Sequence, residues 1–164
     1  MSCQTVKTFL LNLTSGRVRW GVAMVAMLLV ASATANASSR WATLEAIHQL
    51  ENPRNLTRPG PKGELGAYQF RASTWRMHTT APFHQALDRE TSDAVAVRHY
   101  EWLKRGLERA GKPATAYNIA LAWNGGLEGA IRGSAPRVAY DYANRAANLA
   151  GVFGDRSRMV ADAR

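Results

Sequence analysis

Cysteine is almost absent from this sequence of 164 residues, and its single cysteine, Cys3, lies near the N-terminus. A disulfide within the chain is therefore excluded, and the folded domain has to be held together by packing. The sequence also lacks the patterns HExxH, GxSxG and GxxxxGK[ST]. These absences exclude the usual motifs of zinc proteases, of α/β-hydrolases and of P-loop nucleotide-binding proteins.

Metal-site patterns are lacking as well. Glu45 and His48 have the Glu-x-x-His spacing of half a di-iron site, but the second copy that such a site needs is missing. His78, His84 and His99 have no partner at ligand spacing, and we interpret them as surface or core histidines. The sequence predicts neither a metal nor any other cofactor.

Acidic residues are absent before Glu45, whereas Lys7, Arg17 and Arg19 precede an apolar run over 21–35. This run is shorter than the ~20 residues of a membrane-spanning helix, and Ala-Asn-Ala at 35–37 is a small-x-small cleavage site. Residues 1–37 are therefore predicted to be a signal peptide. We expect export to the periplasm, or to the cell wall or extracellular space, with no stable membrane association after cleavage. An uncleaved N-terminal anchor is the alternative.

The charge balance is basic, with a formal net charge of +9. Three of the 21 basic residues lie within 1–37, so the remainder carries 18 basic against 12 acidic residues, or +6. Such a charge favours an anionic partner, and the bacterial wall fits an exported protein. Nucleic acid is not expected, because Lys and Arg form no dense stripe. A charge that serves only solubility is the alternative, and the oligomeric state stays open.

Helical periodicity dominates the chain after residue 38, which predicts one mainly α domain over 38–152. The predicted helices run from 38 or 39 to 51, from 73 over a short stretch, over 91–110, 116–123 and 127–131, and onward from 136. The segment 52–68 is rich in Pro and Gly and is predicted to be a loop with a short β-hairpin. Residues 153–164 have few apolar side chains and are predicted to be a flexible tail.

Glu51 has an unusual position in the first predicted helix. On a helical wheel with Leu44 at zero, Glu51 falls at about −20°, within the apolar stripe, whereas Glu45 falls at about +100°, on its edge. Burial should raise the pKa of the Glu51 carboxyl, and a retained proton is what a general acid at a glycosidic oxygen requires. A capping or solvated carboxylate is the alternative at a helix end.

The loop after Glu51 could form one wall of a sugar groove. Pro and Gly make such a loop stiff and tightly shaped. Exposed aromatic side chains could then stack on sugar rings, and the candidates are Tyr68, Trp75 and Trp123.

Four motifs in order carry a resemblance to a known family. Glu51 followed by GELGAYQ at 63–69 resembles the lytic transglycosylase pattern of a catalytic Glu and then G-A-x-G-L-M-Q. The run QFRASTW at 69–75 is similar to the Q-F-x-x-S-T-W of resuscitation-promoting-factor domains. ALAWNGG at 120–126 is similar to the family's A-L-A-Y-N-A-G, and YDYA at 140–143 stands where the family has a Y-V pair. The resemblance covers about residues 41–150.

The resemblance implies a lysozyme-like α+β domain with a small loop or hairpin beside an active-site cleft, and it implies peptidoglycan glycan strands as the substrate. Glu51 would be the catalytic acid and then the base. The substrate-binding residues would be Gln69, Tyr68, Trp123, Asn124 and Tyr142, with Tyr142 also able to bond Glu51. The chain departs from the pattern at Asn52, Glu64 and Trp123, so the family's substrate choice is not carried over.

Glu64 leaves the reaction outcome open, because it is the only acid between Glu51 and Asp88. As a second carboxylate it would permit hydrolysis, as in a lysozyme or chitinase. The family manages with one acid and closes a 1,6-anhydro ring on the muramic acid residue. We favour that lyase-like reaction and expect Glu64 to pair with Lys62 or Arg71. A non-catalytic wall-binding module is a further alternative.

Overall fold

Six α-helices and one 3-10 helix make up the regular structure of residues 39–162, the part of the chain that a computed structural model describes. The predicted signal peptide lies outside these residues. In chain order, the helices are α1 over 39–51, α2 over Ala72–Arg76, the 3-10 helix Phe83–Leu87, α3 over Arg89–Arg109, α4 over Ala116–Gly125, α5 over Leu127–Arg132 and α6 over Arg137–Asp162. The prediction of a mainly α fold is confirmed.

Helix α1 ends where its sequence predicts. The N–H of Asn52 still donates to the carbonyl of His48, at 2.9 Å. Pro53 follows, has no N–H and restricts the residue before it, so the helix stops. Ala46 and Ile47 are fully buried, and Glu51 is half-buried at the helix end. The apolar stripe predicted from the helical wheel is thus the face that enters the core.

Helix α4 is the central helix, as its apolar sequence predicts. The Thr115 side chain caps its N-terminus by accepting a hydrogen bond from the N–H of Asn118, at 3.2 Å. The helix packs mainly against α6 and also against α5 and α3. Four consecutive residues, Ile119–Ala122, are buried, which requires neighbours on every side of the helix.

The segment 52–68 is a loop, as predicted, but the predicted β-hairpin does not form in it. Within the described residues the only β-pairing is one antiparallel bridge between Leu65 and Phe70, closed by two N–H to O bonds of 3.0 Å each. The prolines at 53, 59 and 61 have no N–H for a ladder, so longer pairing cannot form there.

Helix α6 is longer than predicted, since it continues to Asp162 through most of the predicted tail over 153–164. The segment is therefore helical as far as Asp162, and its flexibility stays a prediction. Phe153 packs edge-on against Trp41, at 6.1 Å between ring centroids, and thereby anchors the middle of the helix. The following Arg, Met and Ala residues are good helix formers, so the helix propagates although most of their side chains are exposed.

No helix within 39–162 combines the length and apolar character that crossing a membrane would require.

Candidate active site

A cleft of about 680 Å³ is lined by the end of α1, the loop before α2 and the end of α4, with one residue each from α2 and α3. Six of the seven predicted site residues line it, namely Glu51, Glu64, Tyr68, Gln69, Trp123 and Asn124. The seventh, Tyr142, is buried on α6 and interacts with Glu51 from behind the cleft. Residues up to 91 positions apart in the sequence therefore meet at one place.

The Glu51 carboxyl has its pKa raised above the ordinary value. Burial is the largest cause of this rise. The interaction with the Tyr142 hydroxyl lowers the pKa, the negative charge of Glu64 raises it further, and the positive charge of Arg145 lowers it. A protonated carboxyl is thereby kept at the cleft surface over a wider pH range than in water. This is the environment that the apolar stripe of α1 predicts.

Tyr142 is 5% exposed and its hydroxyl is buried beside Glu51. The hydroxyl has no hydrogen-bond partner of good geometry among the described residues, and the Glu51 carboxyl is the group that acts on it. Burial and the neighbouring Glu51 carboxyl raise the pKa of Tyr142, so the hydroxyl keeps its hydrogen and acts as a donor. The sequence-based expectation of a Tyr142 to Glu51 contact agrees with this placement.

Glu64 is held by its own loop. Its Oε2 accepts a hydrogen bond from the backbone N–H of Lys62 at 2.8 Å, and its Oε1 lies 3.5 Å from Nε of Arg71. Partial burial works against ionisation, but these hydrogen bonds and the Arg71 charge outweigh it and lower the pKa of Glu64. The carboxylate is thus ionised and its oxygens are engaged. The salt bridge expected with Lys62 or Arg71 is formed with Arg71, whereas Lys62 contributes its backbone N–H.

Asn52 connects the end of α1 to the loop. Its Nδ2 donates to the carbonyl oxygens of Leu56, at 2.9 Å, and of Gly66, at 3.2 Å. Its Oδ1 accepts from the N–H of Leu56, at 2.9 Å. The residue is 6% exposed, so these bonds satisfy a buried amide and fix the loop directly after Glu51.

Gln69 has a backbone conformation that is rare for a side-chain-bearing residue, with φ at 45°. Its Nε2 donates to the carbonyl of Gly66, at 3.0 Å, and its Oε1 lies over Gly60. A Cβ atom at Gly60 would stand 2.7 Å from Gln69 Oε1 and 2.7 Å from Glu64 Oε2, so the glycine makes room for both side chains. The loop therefore orients Gln69 at the cleft wall.

The aromatic residues do not all occupy the expected places. Trp75 is fully buried and its Nε1 donates to the carbonyl of Ala81, at 2.7 Å; the prediction that it is exposed is wrong. Tyr68 is 3% exposed, and its hydroxyl donates to Asp93 at 2.7 Å, so its ring shapes the cleft wall and offers little surface. Trp123 is half-buried and remains the aromatic ring best placed for a ligand.

Asn124 follows Trp123 at the end of α4 and is exposed. Its amide makes no hydrogen bond to any other residue within 39–162, which leaves a donor and an acceptor for a ligand. At the next position, a Cβ atom on Gly125 would lie 2.9 Å from the Cβ atoms of Ala135 and Ala139. A glycine there allows the end of α4 to approach the start of α6.

Sequence reasoning missed His99 as a cleft residue. His99 lies on α3 and is 6% exposed, yet its ring lines the cleft together with Glu51 and Trp123. Its position on the apolar face of α3 indicated burial, and nothing in the spacing of the chain indicated which cavity that face would meet. Arg71 and Lys62 also line the cleft.

No group of three or more His, Cys, Asp or Glu side chains is arranged to hold a metal ion within the described part of the chain.

Comparison with known proteins adds no relative. No family model, no curated protein and no solved structure matches this chain. The resemblance to lytic transglycosylases thus stays a prediction from the motifs, and the geometry of the cleft is what supports a functional proposal.

Proposed function

We propose that this domain cleaves peptidoglycan glycan strands between N-acetylmuramic acid and N-acetylglucosamine as a lytic transglycosylase with a lysozyme-like fold. The single bridge at 65 and 70 would be the remnant of the small β element of that fold. The observation that carries the proposal is the half-buried Glu51 carboxyl, whose pKa is raised, in a cleft shared with Gln69 and Asn124.

The proposed reaction uses one carboxyl group twice. Glu51 donates its proton to the glycosidic oxygen as the bond from that oxygen to C1 of the muramic acid residue breaks. The N-acetyl group of the same sugar assists the departure. Its C6 hydroxyl then bonds to C1 and returns a proton to Glu51, which closes the 1,6-anhydro ring and restores the acid. No water is consumed.

The state of Glu64 favours this single-acid reaction over hydrolysis. A second catalytic carboxylate has to reach the sugar or a water molecule beside it. Both oxygens of Glu64 instead face its own loop, toward the Lys62 N–H and Arg71. Its negative charge still acts on the site, because it helps to keep Glu51 protonated.

Product analysis separates the candidate functions. Purified sacculi are incubated with the protein, and the released fragments are identified by mass spectrometry. Transglycosylase action yields 1,6-anhydro ends, whereas a hydrolase using Glu51 and Glu64 yields reducing ends. Intact sacculi that bind the protein would indicate a non-catalytic wall-binding module. Reducing ends or intact sacculi would each overturn the proposal.

Substitution of the two carboxyls tests their roles. We expect Glu51→Gln to lower the rate by at least the ~10²–10⁴-fold of general acid catalysis, which is about 3–5 kcal/mol of barrier. Glu64→Gln should have a modest effect, because its oxygens bond the loop. Complete loss in Glu64→Gln would instead favour paired carboxylates.

Glu45→Gln is the matched control. Glu45 lies on the same helix but outside the cleft, where it contacts Gln49, His48 and Arg89. Its variant should retain activity close to that of the unchanged protein. Full activity in Glu51→Gln would contradict the assignment.

A further inference from the structure

Two histidines form a pair, and one of them, His99, lines the cleft. Nε2 of His78 and Nδ1 of His99 are 2.9 Å apart, so one ring donates a hydrogen bond to the other. His78 lies just after α2, and His99 lies in the middle of α3. This contact joins two elements that the sequence separates by 21 residues.

The His99 ring is held in one orientation by aromatic neighbours. It stacks on Trp102 with 5.7 Å between centroids and an interplanar angle of 13°. It also forms T-shaped pairs with Trp123 and Phe70, with 4.7 Å and 6.3 Å between ring centroids. A ring packed on three sides loses little further conformational entropy on binding a ligand, which is the benefit of preorganisation.

The second ring nitrogen of His99 is available to a ligand. Nε2 has no hydrogen-bond partner among residues 39–162. It is also not fully buried, because the fully buried side-chain atoms without a partner do not include it. Because His99 lines the cleft, a ligand bound in the cleft is the partner that we infer for this nitrogen. The catalytic scheme above leaves this group without a role.

Both rings are neutral near neutral pH. Burial, followed by the proximity of His78, lowers the pKa of His99 to about 3. Burial, followed by the positive charges of Arg98 and Arg105, lowers the pKa of His78. A neutral imidazole carries one hydrogen, so the direction of the bond between the rings decides whether His99 Nε2 is a donor or an acceptor.

The bond between the rings can have either direction, and a hydrogen on His99 Nε2 requires that His78 be the donor. Its Nε2 contacts His99, so Nδ1 is the nitrogen left outside the pair. Arg98 and Arg105 bring positive charge to His78, and we infer that this charge favours a lone pair rather than a hydrogen on Nδ1. The hydrogen of His78 then lies on Nε2 and is donated to His99 Nδ1, which leaves the hydrogen of His99 on Nε2.

We propose that His99 is a glycan-binding residue whose Nε2–H donates to a hydroxyl or acetamido oxygen of the bound amino-sugar strand, and that His78 is the positioning residue that keeps the hydrogen on that nitrogen. The inference rests on the proposed function, because it assigns a further contact in the same cleft. It adds a substrate contact that none of the four motifs contains.

The first experiment reads the tautomer directly. Glu51→Gln protein labelled with ¹⁵N-histidine is titrated with chitotetraose, the β-1,4-linked tetramer of N-acetylglucosamine, and long-range ¹H–¹⁵N spectra report each ring nitrogen. We expect the Nε2–H form of His99 in the free protein. On addition of the sugar, the Nε2 resonance should shift and saturate in parallel with the tryptophan fluorescence.

The outcomes separate the two proposals. Saturable binding with unmoved His99 resonances would overturn the His99 contact and leave the proposed function standing. An Nδ1–H form in the free protein would overturn the role given to His78. Absence of binding by either probe would count against the proposed function, and with it against the inference.

Variants in the enzyme with Glu51 intact provide a second measurement. His99→Phe keeps a stacked ring without nitrogens, and we expect KM to rise about 3- to 10-fold, the equivalent of one neutral hydrogen bond, with kcat largely kept. His78→Leu should raise KM and change the His99 tautomer, whereas His78→Gln, which retains an N–H donor, should restore both. An effect on kcat and thermal stability with unchanged KM would indicate a purely structural pair.

His84→Gln is the control, because His84 is an exposed histidine on the 3-10 helix and does not line the cleft. Its KM, kcat and melting temperature should match those of the unchanged protein. A rise in KM for His84→Gln equal to that for His99→Phe would show that the effect is not specific to the cleft, and the proposal would fail.

Discussion

The Glu51 carboxyl lowers the stability of the folded protein at neutral pH, and it lies in the proposed active site. Its folded-state pKa lies above the ordinary value of 4.5, so the folded protein binds this proton more tightly than the unfolded chain does. Stability therefore falls as pH rises from that ordinary value through the raised one. The proposed role of Glu51 as a general acid needs this proton and would account for a carboxyl in a half-buried position.

We therefore expect Glu51→Gln to unfold at a higher temperature than the unchanged protein at pH 7.5. The gain should be roughly 0.5–2 kcal/mol, the usual range for one stabilising substitution, and it should disappear at pH 4, where both side chains are neutral. Thermal unfolding followed by circular dichroism at the two pH values measures it.

Asp88→Ala is the comparison, because the pKa of Asp88 is shifted in the opposite direction from that of Glu51. Asp88 caps α3, and hydrogen bonds from the side chain and backbone of Thr91 lower its pKa. Its contribution to stability is present above its ordinary pKa and is lost in acid, so this variant should be most destabilised at neutral pH. An equal change at both pH values for Glu51→Gln would show that its carboxyl is not held protonated by the fold.

Gly66 and Gly63 provide a matched pair of glycines at the residue scale. Both have positive φ, 78° and 77°, but a Cβ on Gly66 would lie 1.7 Å from the carbonyl oxygen of Ala86, whereas Gly63 has open space. Gly63→Ala should cost about 1–2 kcal/mol for the left-handed backbone. Gly66→Ala has to displace the 3-10 helix as well, and we expect more than about 4 kcal/mol.

Chemical denaturation of the two variants measures this difference. Gly66 also supplies the carbonyl that Asn52 and Gln69 bond, so Gly66→Ala should weaken binding of chitotetraose beyond its effect on stability. Equal losses of stability for the two variants would mean that the loop and the 3-10 helix are not in close contact in solution.

At the scale of elements, α6 has a packed half and an exposed half. Leu149, Ala150 and Phe153 form a small apolar cluster with Ala42 and Ala46 of α1. Beyond Ser157, whose hydroxyl bonds the Phe153 carbonyl at 3.0 Å, the side chains over 158–161 are exposed. The helix is therefore stabilised by packing only as far as about residue 157.

Two truncations test this division. Removal of residues 158–164 should change the free energy of unfolding by less than about 0.5 kcal/mol, as for other exposed segments. Removal of 149–164 deletes Leu149 and Phe153 from the cluster and should cost at least about 2 kcal/mol. Urea denaturation of both proteins gives the values, and a large cost for the shorter truncation would contradict the assignment of the packed half.

At the scale of the whole molecule, the basic charge should act on the encounter with the wall rather than on the fold. The chain has a net charge of +9, and residues 38–164 have +6. Because the Debye length shrinks from about 10 Å at 0.1 M salt to about 3 Å at 1 M, we expect binding to anionic sacculi to weaken steadily as salt rises. Sedimentation of Glu51→Gln protein with sacculi at several salt concentrations measures it.

The uncharged ligand chitotetraose is the control for this measurement. In the proposed complex, its affinity rests on the polar and aromatic groups of the cleft, so we expect salt to change it little. Binding to sacculi that does not respond to salt would make the positive charge irrelevant to wall association.

Much of the fold was predictable because a helix depends on residues that are close together in the sequence. The 3- to 4-residue spacing of apolar side chains located α1, α3 and α4 to within a few residues, and it also placed Glu51 on the buried face of α1. The loop after Glu51 was recognisable from its prolines and glycines. The end of α6 was missed, since its helix continues beyond the residues whose burial creates a pattern.

The sequence by itself determined the positions of α1, α3 and α4 and which carboxyl would sit at an apolar helix end, because both depend on neighbours within about one or two turns. Only the tertiary structure decided that Trp75 and Tyr68 are buried and that His99 meets Trp123 at the cleft. These outcomes depend on contacts between residues far apart in the chain, and such contacts form only when the helices pack.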